Sequence, residues 1–399
     1  QKVKALAVET SGMLAGKLER SSQFEFTYTP GAAQAVSLLM PVSDRAFADG
    51  ALFAVMDMNL PEGFLLAQIR ERSPKTSPTK MHLLALMGAN GIGRIGYRQD
   101  ERPVAAGARV DRERLLRDGT GKEGRLFAEL VDAYLSTGSG LSGVQPKILV
   151  PERASIALPN LLVKAAGADY PGLAANEFLC LDAARRAGLD VVKHELSDDG
   201  NLLLIDRFDL GKRGSRLGFE DIAALLDLRV GGALSNRKYR GSYEDVAEVV
   251  AEFATDPRAE LARLFDAVAL SLLVRNGDGH LKNFGLLYDE KARRLAPIFD
   301  VVTTTLYAYE RADRVKVTDR TMALKLRRGQ EARGRDYPAP TELLRFGEEV
   351  CQVESPQERV QPILEAMADV LRRAGADDRI PKKTLQGMKR EWEASRQPW

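Results

Sequence analysis

Asn276-Gly277-Asp278-Gly279-His280-Leu281-Lys282-Asn283-Phe284, with Pro297-Ile298-Phe299-Asp300 behind it, is the stretch that decides the fold. Asn283 lies five residues after Asp278, and Asp300 follows a short strand-like turn. Phosphoryl transfer needs this residue set. One carboxylate takes the proton of an attacking hydroxyl, while an Asn and a second Asp hold magnesium on nucleotide phosphates. The spacing puts Asp278 and Asn283 on one tight loop and brings Asp300 in from the next hairpin. Gly277 and Gly279 flank Asp278 and permit a sharp turn. Lys282 can neutralise charge on a transferring phosphoryl group. His280, one of three histidines, either orients the loop through a ring hydrogen bond or acts directly. The plain alternative is a solvated Asp-Gly-His turn, which leaves Asn283 and Asp300 at those offsets unexplained.

Three upstream pieces fit the same chemistry. Ser139-Gly140-Leu141-Ser142-Gly143-Val144-Gln145-Pro146-Lys147 is a Gly/Ser-rich turn ahead of a strand. Its backbone N–H groups can form an anion-binding nest, with Lys147 in reach of a phosphate. It is not a P-loop, because Gly-x-x-x-x-Gly-Lys-Ser/Thr is absent, and Ser-Gly runs are commonly plain loops. Lys164 ends the apolar strand Leu161–Lys164, where a lysine serves either as an edge gatekeeper or as a phosphate clamp. Glu177, after Asn176 on the following helix, is its candidate partner or an ordinary solvated glutamate. Asp206-Arg207-Phe208-Asp209 follows the strand Leu202–Ile205, where an inter-lobe hinge would meet an adenine edge; a charged strand end is the plain reading.

Composition frames these motifs. A chain of 399 residues has room for two or three domains and a large core. Its 44% hydrophobic and 29% charged content is that of a soluble globular protein. The net charge of +2 makes no overall case for nucleic acid. Basic runs at Lys325–Arg328, Arg335 and Lys382-Lys383 read as solvated faces. Cys180 and Cys351 sit far apart in apolar contexts and read as buried reduced thiols, which fits a reducing cytoplasm. No run approaches the ~18–20 apolar residues of a membrane span. Gln1-Lys2-Val3-Lys4 shows no signal-peptide apolar region and no initiator Met, so residues are expected to precede it.

Along the chain, alternating runs at 3–8, 14–18 and 24–29 predict a small antiparallel sheet. Pro61 opens a helix whose apolar face carries Phe64, Leu65 and Ile69. A helix at 79–87 follows. Gly88 to Gly96 closes this unit, and 97–121 is a polar connector. The segment to about 136 reads as helix, then strands at 147–150, 161–164, 191–195 and 202–206 alternate with a helix at 174–187 that stops at Gly188. Helices are expected at 219–227, 243–255, 258–275, 341–350, 357–374 and 382–396. The sheet portion thus holds Lys164, and the helical portion holds the carboxylates.

Ser142-Gly-Val-Gln-Pro-Lys147, Leu-Val-Lys164, Asn176-Glu177, Asp206-Arg-Phe-Asp209, Asn276–Phe284 and Pro297–Asp300 together resemble the HipA-family serine/threonine kinases, the toxins of bacterial HipBA toxin–antitoxin systems. Leu60-Pro61-Glu62-Gly63 is similar to a motif of that family's N-terminal subdomain. The resemblance covers most of the chain. It implies an α+β, two-lobed protein-kinase-like fold with an added N-terminal β-rich subdomain at 1–100, an N-lobe-like region at 101–210 and a mostly helical C-lobe at 211–399. It implies ATP and Mg²⁺, with Asp278 as the catalytic aspartate and Asn283 and Asp300 at the metal. Ser142 to Lys147, Lys164, Asp206 to Phe208, His280 and the metal ligands then line the nucleotide site. It further implies an aminoacyl-tRNA synthetase as substrate, growth arrest, and a HipB-like helix-turn-helix antitoxin through which operator DNA is contacted. One departure stands out: the family's autophosphorylated serine position is Gly140 here, which makes Ser142 the first candidate and Ser139 the second. The alternatives are a kinase of this fold with a non-toxic substrate, and a weakly catalytic co-repressor module.

Overall fold

The computed structural model describes residues 3–72, 78–88, 91–99, 110–120, 147–150, 160–165, 170–211, 215–310, 314–329 and 335–399. The chain divides into two units. The first is Gln1–Ala165 with Leu204–Lys238 and Leu287–Glu290; the second is Ala166–Leu203 with Tyr239–Leu286 and Lys291–Trp399.

In the first unit, β1 (Ala5–Thr10), β2 (Met13–Arg20), β3 (Phe24–Tyr28), β4 (Phe47–Asp49) and β5 (Ile95–Arg98) form one antiparallel sheet in the order β4-β3-β2-β1-β5. Alternation drives it: Leu6 and Val8 of β1 and Phe24, Phe26 and Tyr28 of β3 point into a core shared with Leu52, Met56 and Leu84. Ser11 and Gly12 turn the first hairpin with φ of +52° and +81°. That pair of left-handed residues is what a two-residue type I′ turn requires. β5 was not legible as a strand, because Gly93 and Gly96 around it read as loop. It adds to the sheet through pairs such as Val8 with Tyr97. The connector expected at 97–121 contains a helix, Arg112–Asp118, capped by the Asp111 side chain on the Arg114 N–H. The helix expected at about 122–136 lies outside the described residues. The helix opened by Pro61 is Gly63–Arg72; Ile69, expected on its apolar face, packs on the core together with Leu66, while the side chains of Phe64 and Leu65 lie outside the described residues.

β6 (Lys147–Val150) and β7 (Leu161–Ala165) pair antiparallel, with Lys147 directly opposite Lys164 in the register. Three buried carboxylates bind other parts of this unit together. Asp57, fully buried, accepts from the Val230 and Gly231 N–H groups at 2.9 and 2.8 Å and pairs with Lys80. Asp209 accepts from the Gly93 N–H at 2.6 Å and from Arg207 at 2.7 and 2.6 Å. Glu220 accepts from Ser37 Oγ at 2.6 Å, the Leu38 N–H at 2.7 Å and Tyr288 Oη at 2.7 Å. Glu220 also explains a correction at 219–227. Gly218–Asp221 is a strand, and only Ile222–Leu225 is helical. Helix propensity in Ala223-Ala224-Leu225 extends to the strand only if Glu220 is solvated, and here its carboxylate is buried and triply bonded.

The second unit is built on helices: α1 (Leu173–Arg186), α2 (Tyr243–Phe253), α3 (Pro257–Leu273), α4 (Pro340–Glu349), α5 (Pro356–Ala374) and α6 (Lys382–Arg396). α2 starts at a capping box, Ser242 with Asp245, and α3 at Asp256 with Pro257 in its first turn. α5 packs against α1 and α3, and α2 against α3. The strand expected at 191–195 is shorter, His194–Leu196, with Val191 making a single bridge to Ile298. Cys180 and Cys351 are free and buried. No helix among the described residues is long and apolar enough to cross a membrane.

Candidate active site

α3 delivers the loop. Past its C-cap Val274, Arg275 adopts φ +60°, the Arg275 N–H reaches Leu272 O at 3.2 Å, and the Asn276 N–H reaches Ser271 O at 2.8 Å. This is the two-bond Schellman closure, made with an arginine where glycine is usual. A non-glycine residue in that region costs roughly 1–2 kcal/mol. The Arg275 guanidinium lies over the Tyr337 ring, 4.3 Å from its centre.

The turn then folds on its own polar groups. The Gly277 N–H donates to Thr304 Oγ1 at 2.8 Å, and the Asp278 N–H to Asn276 Oδ1 at 3.1 Å. The His280 N–H donates to Asp278 O at 2.8 Å and to Asn283 Oδ1 at 3.0 Å, and the Asn283 N–H returns to His280 O at 2.9 Å. Tyr243 Oη donates to Gly279 O at 3.0 Å. Burial pushes the Tyr243 phenol well above its ordinary range, so it stays a donor. Gly277 is required by space: a Cβ there would sit 2.7 Å from Thr321 O and 2.8 Å from Thr304 Oγ1.

Asp278, His280, Lys282, Asn283 and Asp300 are therefore brought together in one unit. Asn283 Nδ2 lies 3.4 Å from Asp300 Oδ2, and Asp300 holds φ +58°. The Asn283 Nδ2 faces the Asp300 carboxylate, while Asn283 Oδ1 accepts the His280 N–H and keeps a second lone pair; that oxygen and the Asp300 carboxylate are the hard donors Mg²⁺ would take together with phosphate oxygens and water. Asp278 keeps a side chain 47% exposed, while His280 is buried with Nε2 3.9 Å from Asp278 Oδ1. Tyr239 Oη donates to Asp278 Oδ1 at 2.5 Å.

Three residues past Asp300, Thr303 is clamped from two sides. Asn176 of α1 gives Nδ2 to Thr303 O at 3.0 Å and accepts the Thr303 N–H on Oδ1 at 2.9 Å. Trp392 of α6 gives its indole N–H to Thr303 Oγ1 at 2.9 Å. Thr303, Asn176 and Trp392 are all completely buried. Neither Tyr239, Thr303 nor Trp392 was legible as a site residue. Their contacts join positions 39, 127 and 89 residues apart, and no local pattern announces them.

The remaining candidates fall on other elements. Glu177 is fully buried on α1, in the second unit, and Lys164 is buried on β7, in the first. Asp206 pairs with Arg112. The Arg207 guanidinium is buried against Asp209 and Gly91 O, and Phe208 packs edge-on against Phe219 with centres 5.3 Å apart. Ser139 and Ser142 to Pro146 lie outside the described residues, and Lys147 is described only by its backbone, as the first residue of β6.

Residues 139–374 match the HipA-like C-terminal domain, and residues 6–98 match the HipA N-terminal domain. Two Sinorhizobium fredii proteins named "Putative kinase Y4mE" and "Putative kinase Y4dM" are 28% and 32% identical over 52% and 37% of this chain. The chain spans 54% and 38% of their own lengths. Among solved structures, the Shewanella oneidensis MR-1 toxin–antitoxin complex of HipA, HipB and operator DNA contains a chain that matches with TM-score 0.69 and 19% identity, over 99% of this chain and 97% of that one. At that identity the likeness is one of fold.

Proposed function

The chain belongs to the HipA-like family, and from that premise we propose that it is an ATP- and Mg²⁺-dependent protein serine/threonine kinase acting as a HipA-type toxin. The observation that carries the reading is the loop itself: Asp278 on a tight, half-exposed turn, with Asn283 and Asp300 side by side at 3.4 Å. Asp278 accepts the proton of the acceptor hydroxyl. Lys282 offsets charge on the transferred group. Asn283 and Asp300 hold Mg²⁺, which supplies charge neutralisation on the phosphate oxygens. Lys164 binds an ATP phosphate, with Glu177 as its partner, and Ser142 to Lys147 with Asp206 to Phe208 and His280 complete the nucleotide site.

The acceptor is a translation protein of the aminoacyl-tRNA synthetase class, and the setting is cytoplasmic. The partner is a HipB-like helix-turn-helix antitoxin, through which the chain meets operator DNA; the HipA–HipB–operator complex of the same fold supports that choice. Self-inactivation falls on Ser142, then Ser139. A phosphate there adds roughly −1.5 to −2 charge beside the ATP phosphates and repels nucleotide.

The test is labelled-ATP phosphorylation of a cell lysate by wild type and Asp278→Ala, with growth followed on expression. Wild type is expected to label one dominant band and itself, and the variant neither. A general base contributes roughly 10²–10⁴-fold, so equal labelling by both removes Asp278 from the chemistry.

A further inference from the structure

Tyr239 ends a 3₁₀ segment, Gly232–Tyr239, far upstream of the loop. Its phenol reaches Asp278 Oδ1 at 2.5 Å. Its ring packs edge-on against His280, with centres 5.1 Å apart and planes at 75°. Its carbonyl oxygen accepts from the Arg335 guanidinium. Tyr239 is therefore held at its backbone and at its ring, and its hydroxyl meets the carboxylate that faces the acceptor.

We infer that Tyr239 is a positioning residue for phosphoryl transfer: it fixes the Asp278 carboxylate so that the acceptor hydroxyl meets a preset base. The inference rests on the kinase reading above. A carboxylate on a short side chain turns about its terminal torsion, which is broad rather than locked in one staggered well. Asp278 stands half-exposed between two glycines. The phenol supplies a directional bond to one oxygen, and a hydroxyl bonding to a charged acceptor is among the stronger kinds. Holding a reacting group near its attack geometry is worth much, since a displacement of about 1 Å can cost on the order of 10²-fold. The bond forms no part of the proton transfer itself: the acceptor proton goes to Asp278, and Tyr239 keeps its own.

The experiment compares wild type, Tyr239→Phe, Asp278→Asn and the double variant, using labelled ATP with Mg²⁺, dephosphorylated casein, and the chain itself as acceptors. Tyr239→Phe keeps the ring against His280 and removes only the hydroxyl. The expected result is a kcat lower by roughly ten- to a hundredfold, with the KM for ATP and the affinity for a fluorescent ATP analogue unchanged. On the Asp278→Asn background the same change should add nothing, because the group being positioned is gone. A merely structural role would instead lower ATP affinity or act equally on both backgrounds. Active wild type with Tyr239→Phe equally fast, or faster, overturns the assignment alone; a faster variant would mean the phenol competes with the acceptor. Wild type that labels neither casein, nor itself, nor any lysate protein overturns the kinase reading and this assignment with it.

Discussion

Asn176→Ala should be among the most damaging single changes in the second unit. Asn176 makes paired bonds to the backbone of Thr303, 3.0 Å to the carbonyl and 2.9 Å from the N–H, with no solvent access to either residue. Truncation strips both backbone groups of that partner at once. A buried polar group left unsatisfied costs roughly 1–3 kcal/mol, so two give about 2–6 kcal/mol before any cavity is counted. That is a large share of the ~5–15 kcal/mol that holds a domain folded. Trp392 supplies the readout. Its indole bonds Thr303 Oγ1, and the only other tryptophan is Trp399. In a Trp399→Phe background, Trp392 fluorescence during urea unfolding reports on the clamp directly. With a slope of about 2–3 kcal/mol per molar urea, the midpoint should fall by roughly 0.7–3 M. Asn176→Asp is the sharper control. It retains an acceptor for the Thr303 N–H but sets a carboxylate oxygen against the Thr303 carbonyl, so it should be no better than alanine. A midpoint moved by less than about 0.2 M, or an Asp variant near wild type, would refute the view that this side chain binds both backbone groups.

Two further changes probe the loop and the first unit. Gly277→Ala places a Cβ against backbone Thr321 O at 2.7 Å and Thr304 Oγ1 at 2.8 Å; overpacking of this kind costs about 1–3 kcal/mol, and thermal melts with labelled-ATP turnover should show both Tm and activity falling. Glu220→Gln tests buried charge. Burial raises the Glu220 carboxyl above its ordinary 4.5 against the opposing bonds from Ser37, Leu38 and Tyr288. A group raised in the folded state stabilises fully below its unfolded pKa and loses that contribution as pH rises through the folded value. The variant should therefore gain in Tm relative to wild type as pH rises above the ordinary carboxyl value of 4.5, and a difference independent of pH would contradict the buried-charge account.

What was legible in the chain follows from the range of the contacts involved. The 276–284 loop spells its chemistry in neighbours: the Asn276 and Asn283 side chains bond backbone two and three residues away. The helices expected at 243–255 and 258–275 were equally plain, and the structure starts them at the Ser242–Asp245 capping box and at Asp256 with Pro257. Residues whose partners are distant were not. Asn176 was visible only as the residue before Glu177, and its clamp on Thr303 depends on packing that no window of sequence contains. The strand Gly218–Asp221 failed for the same reason, since what holds Glu220 there is Ser37, Leu38 and Tyr288.

Arg207 lies in a motif read for one task while its side chain is committed to another. The Asp206-Arg207-Phe208 segment was expected beside a nucleotide. Its arginine side chain is committed to Asp209 and to Gly91 O, and its backbone N–H donates to Asn160 O at 3.0 Å. Asp209 in turn accepts the Gly93 N–H. These bonds tie the end of the strand Leu202–Asp206 to the glycine loop that precedes β5. A guanidinium with both carboxylate oxygens and a carbonyl already bound, and fully desolvated, gains little by turning to a ligand, because breaking such a buried pair costs about 3–5 kcal/mol. If this segment meets an adenine edge, as proposed, the contact comes from backbone groups other than the Arg207 N–H, which is held by Asn160 O. The role of Arg207 is then to hold that backbone still, and loss of its side chain should be read first in stability and only through it in nucleotide affinity.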